Sequence, residues 1–127
     1  MPYQIHWEDR GVVFKYLGHA SDADIAAATR CVQADARYDS LLYALHDFLA
    51  SESFTFSQAA MEELAAVNAA AARSLRAGKL AIAVMTEMEE VVAAIHAYVA
   101  SGLSAHDFRI FKSVDPARAW LKGMTRH

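Results

Sequence analysis

The densest run of chemically capable side chains is His46-Asp47-Phe48-Leu49-Ala50-Ser51-Glu52-Ser53-Phe54-Thr55-Phe56-Ser57. His46 and Asp47 with Ser51 or Ser53 supply the residue types of a nucleophilic triad. Adjacent residues of a strand point to opposite faces, however, and there is no Gly-x-Ser-x-Gly elbow. The run therefore predicts no catalytic residue. Ser51, Ser53 and Ser57 could instead accept phosphate, which is electrostatically favoured beside a helix N-terminus. The plainer use is that Thr55 or Ser57 caps a helix while the others face water. Phe48, Leu49, Phe54 and Phe56 cluster where a connecting loop usually carries polar turn residues. They predict either an apolar lid over a pocket or a roof on the core, since aromatic side chains are efficient core fillers.

Other chemistry is thinner. His-Asp-Phe occurs twice, at His46 and at His106. The first copy ends a strand and the second begins one, so parallel strands would hold them roughly 20 Å apart at ~3.3 Å per residue. No spacing resembles His-Glu-x-x-His, and no metal site is expected. Cys31, beside Val32, is expected to be a buried structural thiol, and His96, between Val92 and Val99, a core or semi-buried histidine. Arg118, Lys122 and Arg126 fall at four-residue steps, a basic stripe that faces water or anionic lipid.

Composition bounds what these residues can serve. The 127 residues are 55% hydrophobic and 21% charged, with five Gly and two Pro, which excludes disordered and low-complexity classes. One domain over 1–127 is expected, large enough for an ordinary core. Much of the apolar content is alanine, so the larger side chains must carry that core. A net charge of -3 gives no basic face for nucleic acid. The single cysteine forms no internal disulfide, the first residues lack an apolar signal core, and no apolar stretch spans a bilayer. These features predict a cytoplasmic, soluble protein.

The elements that must position the run follow from periodicity. Tyr3, Ile5 and Trp7 alternate with polar residues, and Val12 to Leu17 forms a second strand across the Asp9-Arg10-Gly11 turn, an antiparallel pair closed by Gly18-His19-Ala20. Ser21 and Asp24 make a capping box for a helix lined by Ile25, Ala28, Val32 and Ala36. Leu41 to Asp47 is a buried strand, and a helix from Ser57 to Arg76 aligns Met61, Leu64, Asn68, Ala71 and Leu75, with Gly78 beyond it. Leu80 to Met85 is a central strand. Thr86 and Glu89 suggest a second capping box, before a helix burying Met88, Val91, Val92, Ile95 and Val99. Phe108 to Phe111 is a short last strand, and Asp115-Pro116 opens a final helix through Trp120 and Leu121. Alternation after the hairpin predicts an α/β fold: a mixed, mostly parallel four- or five-stranded sheet with about four helices. In such a sheet ligands gather outside the carboxyl ends of the strands, which points to the 48–56 loop.

This order, with the Leu41–Asp47 strand leading through a Ser/Thr-rich loop into a long helix, resembles the STAS fold of anti-sigma-factor antagonists. It is similar above all to the SpoIIAA-like group, which is also compared with CRAL-TRIO lipid-transfer domains. In the antagonists a phosphorylatable serine sits in an Asp-Ser-Gly-like turn at the start of that helix. Here Asp47 to Ser57 holds serines but no Asp-Ser pair and no glycine. The resemblance therefore implies the group's other expected role: non-enzymatic binding of an apolar small molecule or lipid, including at a membrane surface, without a cofactor. Asp47, Phe48, Phe54, Phe56, Met61, Leu64 and Met88 are the ligand-binding residues this implies. The alternative is a protein-interaction module of the antagonist type. Exposed strand edges and the apolar loop also leave a homodimer open.

Overall fold

The computed structural model describes residues 2–125. β1 (Tyr3–Glu8) and β2 (Gly11–Tyr16) form the antiparallel hairpin, turning at Arg10 with φ 60. Three strands then add in parallel on one side: β4 (Tyr43–Asp47), β6 (Ala81–Met85) and β7 (Asp107–Phe111), in the spatial order β1-β2-β4-β6-β7. β6 is buried along its whole length, as a continuous apolar run at the sheet centre requires. β7 is an edge strand.

Every crossover advances in the same direction, and right-handed crossovers of one direction stack their helices on one face. α1 (Asp22–Gln33), α2 (Gln58–Ala72) and α3 (Glu89–Ala100) accordingly share the face that carries Phe14, Ala44, Ile82 and Val84. α4 (Val114–Met124) covers the other face alone, packing Ala117 and Leu121 onto Leu45, Ala81, Ala83 and Met85. Arg118 forks onto both Glu8 carboxylate oxygens at 2.6 Å, and the Tyr43 hydroxyl donates to the same carboxylate. The last helix is thereby tied to the first strand.

Local signals decide most helix ends. Ser21 and Asp24 form the reciprocal capping box, and the Ser57 hydroxyl accepts from the Ala60 amide as the cap of α2. Gly78 (φ 82) and Gly102 (φ 75) take the left-handed conformation beyond α2 and α3. Several expectations are corrected. The Thr86–Glu89 box does not form: buried Thr86 accepts from the Met88 amide, and Met88 is the N-cap. α4 starts at Val114 behind Ser113 as its N-cap, so Asp115 lies inside the first turn with Pro116 and does not cap it. α2 stops at Ala72, before Arg76, and α1 stops before an exposed Ala36.

The largest departure is a second, two-stranded sheet. β3 (Gly18–Ala20) and β5 (Ser51–Phe54) pair in parallel, so residues expected as hairpin closure and loop are strands. The Thr55 amide extends the pairing to the Ala20 carbonyl at 2.9 Å. Their composition carries no strand signal; pairing across the fold decides them.

Candidate functional site

Small side chains contribute to the site: Ala94 on α3 and Ala44 on the middle strand lie on its wall, and Ala28 on α1 and Ala71 on α2 pack in the core around it. Helices packed through alanine leave space that larger residues would fill. The space is a cavity of about 90 Å³ between the sheet and the three helices. Among the described residues, no Asp, Glu, Lys or Arg lines it.

The cavity has two unlike ends. Where the parallel strands finish, its wall is aromatic: Phe14, His46, Phe48, Phe54 and Phe56. Phe14 stacks on His46 at 4.3 Å, Phe48 stacks under Tyr16 at 4.4 Å, and Phe54 meets Phe48 edge-on at 5.6 Å. Tyr16 Oη and His46 Nδ1 are hydrogen-bonded at 3.1 Å. Burial of that ring pushes the His46 pKa down to about 4, with His106 adding a smaller push in the same direction. Burial also holds the fully enclosed Tyr16 phenol well above its ordinary value.

Where the strands begin, the wall is polar. The helices run back along the strands, so the later turns of α1, α2 and α3 bring Gln33, Asn68 and Tyr98 to this end. Gln33 donates to Asn68 at 3.0 Å, and Asn68 donates to the Tyr98 hydroxyl at 3.4 Å. His106, just ahead of β7, accepts the Leu80 amide on Nδ1 at 3.0 Å. Burial lowers its pKa to about 4 against a small opposing pull from Asp107. Tyr38, in the short 3-10 turn Tyr38–Ser40 before β4, is buried, and its hydroxyl has no hydrogen-bond partner among the described residues. A groove of about 360 Å³ between α1 and α2 shares Ile25, Thr29, Phe56 and Leu64 with the cavity wall and opens to solvent beside Asp22 and Glu63.

Of the expected ligand-binding residues, the structure brings Phe48, Phe54, Phe56 and Leu64 onto the cavity wall. Asp47 falls on the opposite sheet face by strand alternation, and its carboxylate accepts the Leu49 amide at 2.9 Å. Met61 is buried behind the wall with Ala65 and Tyr98, and Met88 packs on the core rim without reaching the cavity. The serines are occupied: Ser51 donates to the Tyr16 carbonyl at 2.9 Å and Ser53 pairs with His19 Nδ1 at 2.6 Å. The Ser57 amide and hydroxyl donate to the Asp22 carboxylate at 3.1 Å each. The strand order never reverses, so there is no topological switch point, and the cavity lies under the helices rather than beyond the strand ends. His46 and His106 stand at the two ends of one cavity, as expected of one residue that ends a strand and one that precedes a strand.

Further expectations are corrected. Cys31 and His96 are exposed, because α1 turns Ala28, Thr29 and Val32 inward and α3 turns Val91 and Tyr98 inward. Val99 is 48% exposed for the same reason. In the basic stripe, Arg118 is held by Glu8, Lys122 is exposed, and Arg126 lies outside the described residues. No helix among the described residues is long and apolar enough to cross a membrane. Tyr38, Tyr98 and His106 were not legible as a group, because they come from a turn, a helix and a strand start. Asn68 alone signalled itself, as a polar residue on an apolar stripe.

No protein-family model matches the chain, and no curated protein matches it either. Solved structures do. An uncharacterised protein of the DUF3478 family with a SpoIIAA-like fold, from Shewanella loihica PV-4, superposes with a TM-score of 0.57 at 17% identity. The match covers 94% of this chain and 91% of that one. The anti-sigma factor antagonist SpoIIAA in its unphosphorylated form superposes with a TM-score of 0.54 at 9% identity, over 92% of this chain and 94% of that one. The chain has the SpoIIAA-like α/β fold.

Proposed function

We propose that this chain is a non-enzymatic receptor for a small apolar molecule, held in the cavity between the sheet and α1–α3. The observation that carries this reading is an uncharged, aromatic-walled cavity with a few polar groups, most of them at one end, the general character of a ligand site. Its size limits the guest. An apolar cavity of about 150 Å³ holds benzene. The 90 Å³ here suits one small ring, and a long acyl chain does not fit. The lipid expectation narrows accordingly to compact hydrophobes. Phe54 and Phe56 act as wall and mouth, Phe48 and Leu64 as wall.

The test is an amide NMR titration with cyclopentane, which has no polar group. Saturable shifts confined to Phe14, Ala44, Val91 and Tyr98 are expected. An unchanged spectrum at saturating cyclopentane would overturn the reading.

A second reading has the comparison behind it: a partner-binding regulatory module like the antagonist whose fold the chain shares. Ser57 is its natural switch point, standing at the start of α2. Asp22 already holds the Ser57 hydroxyl, so a phosphoryl group there would face a carboxylate and loosen the α1–α2 contact. Intact-mass measurement after incubation with ATP and cell extract tests it. A phosphate on wild type that Ser57→Ala lacks would favour this reading, and an unmodified mass would remove its switch.

A further inference from the structure

The polar end of the cavity identifies the ligand class more narrowly than the apolar wall does, and this step rests on the receptor reading above. Hydrogen-bond bookkeeping at that end is lopsided toward donors. The Leu80 amide donates to His106 Nδ1, which leaves the proton of the neutral ring on Nε2, where it has no partner among the described residues. The Tyr98 hydroxyl accepts from Asn68, so its own proton is free to donate. The Tyr38 hydroxyl is buried and has no partner among the described residues, although buried polar groups are almost always paired. Tyr38, Tyr98 and His106, from three different elements, thus line one end of one cavity, the Tyr38 oxygen being enclosed there in the ligand-free protein.

Charge narrows the choice further. With no Lys or Arg on the wall and His106 neutral near pH 7, nothing there balances a carboxylate or phosphate. Burying an unpaired anion is far more costly than burying a neutral polar group. A hydrocarbon would leave the Tyr38 hydroxyl unpaired. We infer that the natural ligand is an uncharged molecule of about one ring bearing a hydrogen-bond acceptor, a carbonyl oxygen in the simplest case. The acceptor is received at the Tyr38–His106 end, and the ring lies against the Phe14–Phe48 end.

The experiment is a thermodynamic cycle with probes of one shape. Wild type and Tyr38→Phe are titrated by amide NMR with cyclopentanone, with methylenecyclopentane, which replaces the oxygen by CH2, and with cyclopentanecarboxylate. Tyr38→Phe should weaken cyclopentanone about fivefold, the ratio expected for one neutral hydrogen bond, and leave methylenecyclopentane unchanged. The carboxylate should bind more weakly than the ketone to both proteins. Tyr98→Phe supplies a second readout with the same expected pattern. Equal changes for ketone and alkene, or tighter binding of the carboxylate, would overturn the inference while leaving the apolar receptor standing. Failure of both the ketone and the alkene to enter wild type would overturn the receptor reading and this inference with it.

Discussion

At the scale of single residues, the ligand-free protein carries the cost of its own site. A buried hydroxyl with no partner costs about 1–3 kcal/mol relative to a paired one, and Tyr38 holds such a group. Tyr38→Phe should therefore stabilise the ligand-free protein by on the order of 1 kcal/mol. The denaturant midpoint should rise with an unchanged slope; a fall in midpoint would mean the hydroxyl is satisfied in solution. The two cavity histidines act in the opposite sense on pH. Both are held near 4 in the folded protein against 6.5 in the unfolded chain. Between those values the unfolded chain binds protons that the folded one refuses, so stability falls as pH drops from 6.5 toward 4 and is fully present above 6.5. The combined effect is on the order of a few kcal/mol, with His46 contributing less than its shift suggests because part of its side chain meets solvent. Melting temperature measured across this window should show the slope, and His46→Phe, which keeps the stack on Phe14, should flatten it.

At the scale of elements, a close approach at the start of β2 shows how side chain and backbone set one another. Gly11 stands opposite Tyr43 in the β2–β4 register, and any Cβ at Gly11 would run into the Tyr43 ring. The ring cannot swing away freely, because its hydroxyl donates to the Glu8 carboxylate that Arg118 grips. Gly11→Ala should cost about 1–3 kcal/mol as an overpacking change, with a readout in the denaturant midpoint. Gly11→Ala combined with Tyr43→Leu should recover most of that loss. What sequence patterning resolves at this scale depends on how local the signal is. The five strands of the main sheet announce themselves as alternating or continuous apolar runs, and Ser21-x-x-Asp24 and Ser57 fix helix starts through bonds spanning three residues. Thr86-x-x-Glu89 has the same pattern and fails, because burial of Thr86 turns its hydroxyl to the Met88 amide instead. β3 and β5 are three and four residues of mostly small and polar character, paired across more than thirty positions. Nothing local encodes that pairing.

At the scale of the whole molecule, a monotonic strand order puts three helices on one face and one on the other, and this asymmetry is what makes a cavity available. α4 seats Ala117 directly on the alanines of β6, so small residues there bring helix and sheet into contact. On the opposite face small residues do the reverse, because three helices must share one twisted sheet and their side chains do not reach across. The apolar face of each helix is legible in its spacing. The void is not, since it is set by what three helix faces and Ala44 leave unfilled together. Filling it tests both halves of this account. Ala94 on α3 lines the cavity, and leucine is a good helix former of larger volume. Ala94→Leu should occupy the space, abolish saturable cyclopentane shifts, and leave stability unchanged or raised by about 1 kcal/mol. A destabilisation of about 1–3 kcal/mol would instead mark a site already packed to density. Cyclopentane binding with unaltered affinity in this variant would place the ligand in the outer α1–α2 groove, where Asp22, Arg30 and Glu63 would favour a more polar guest.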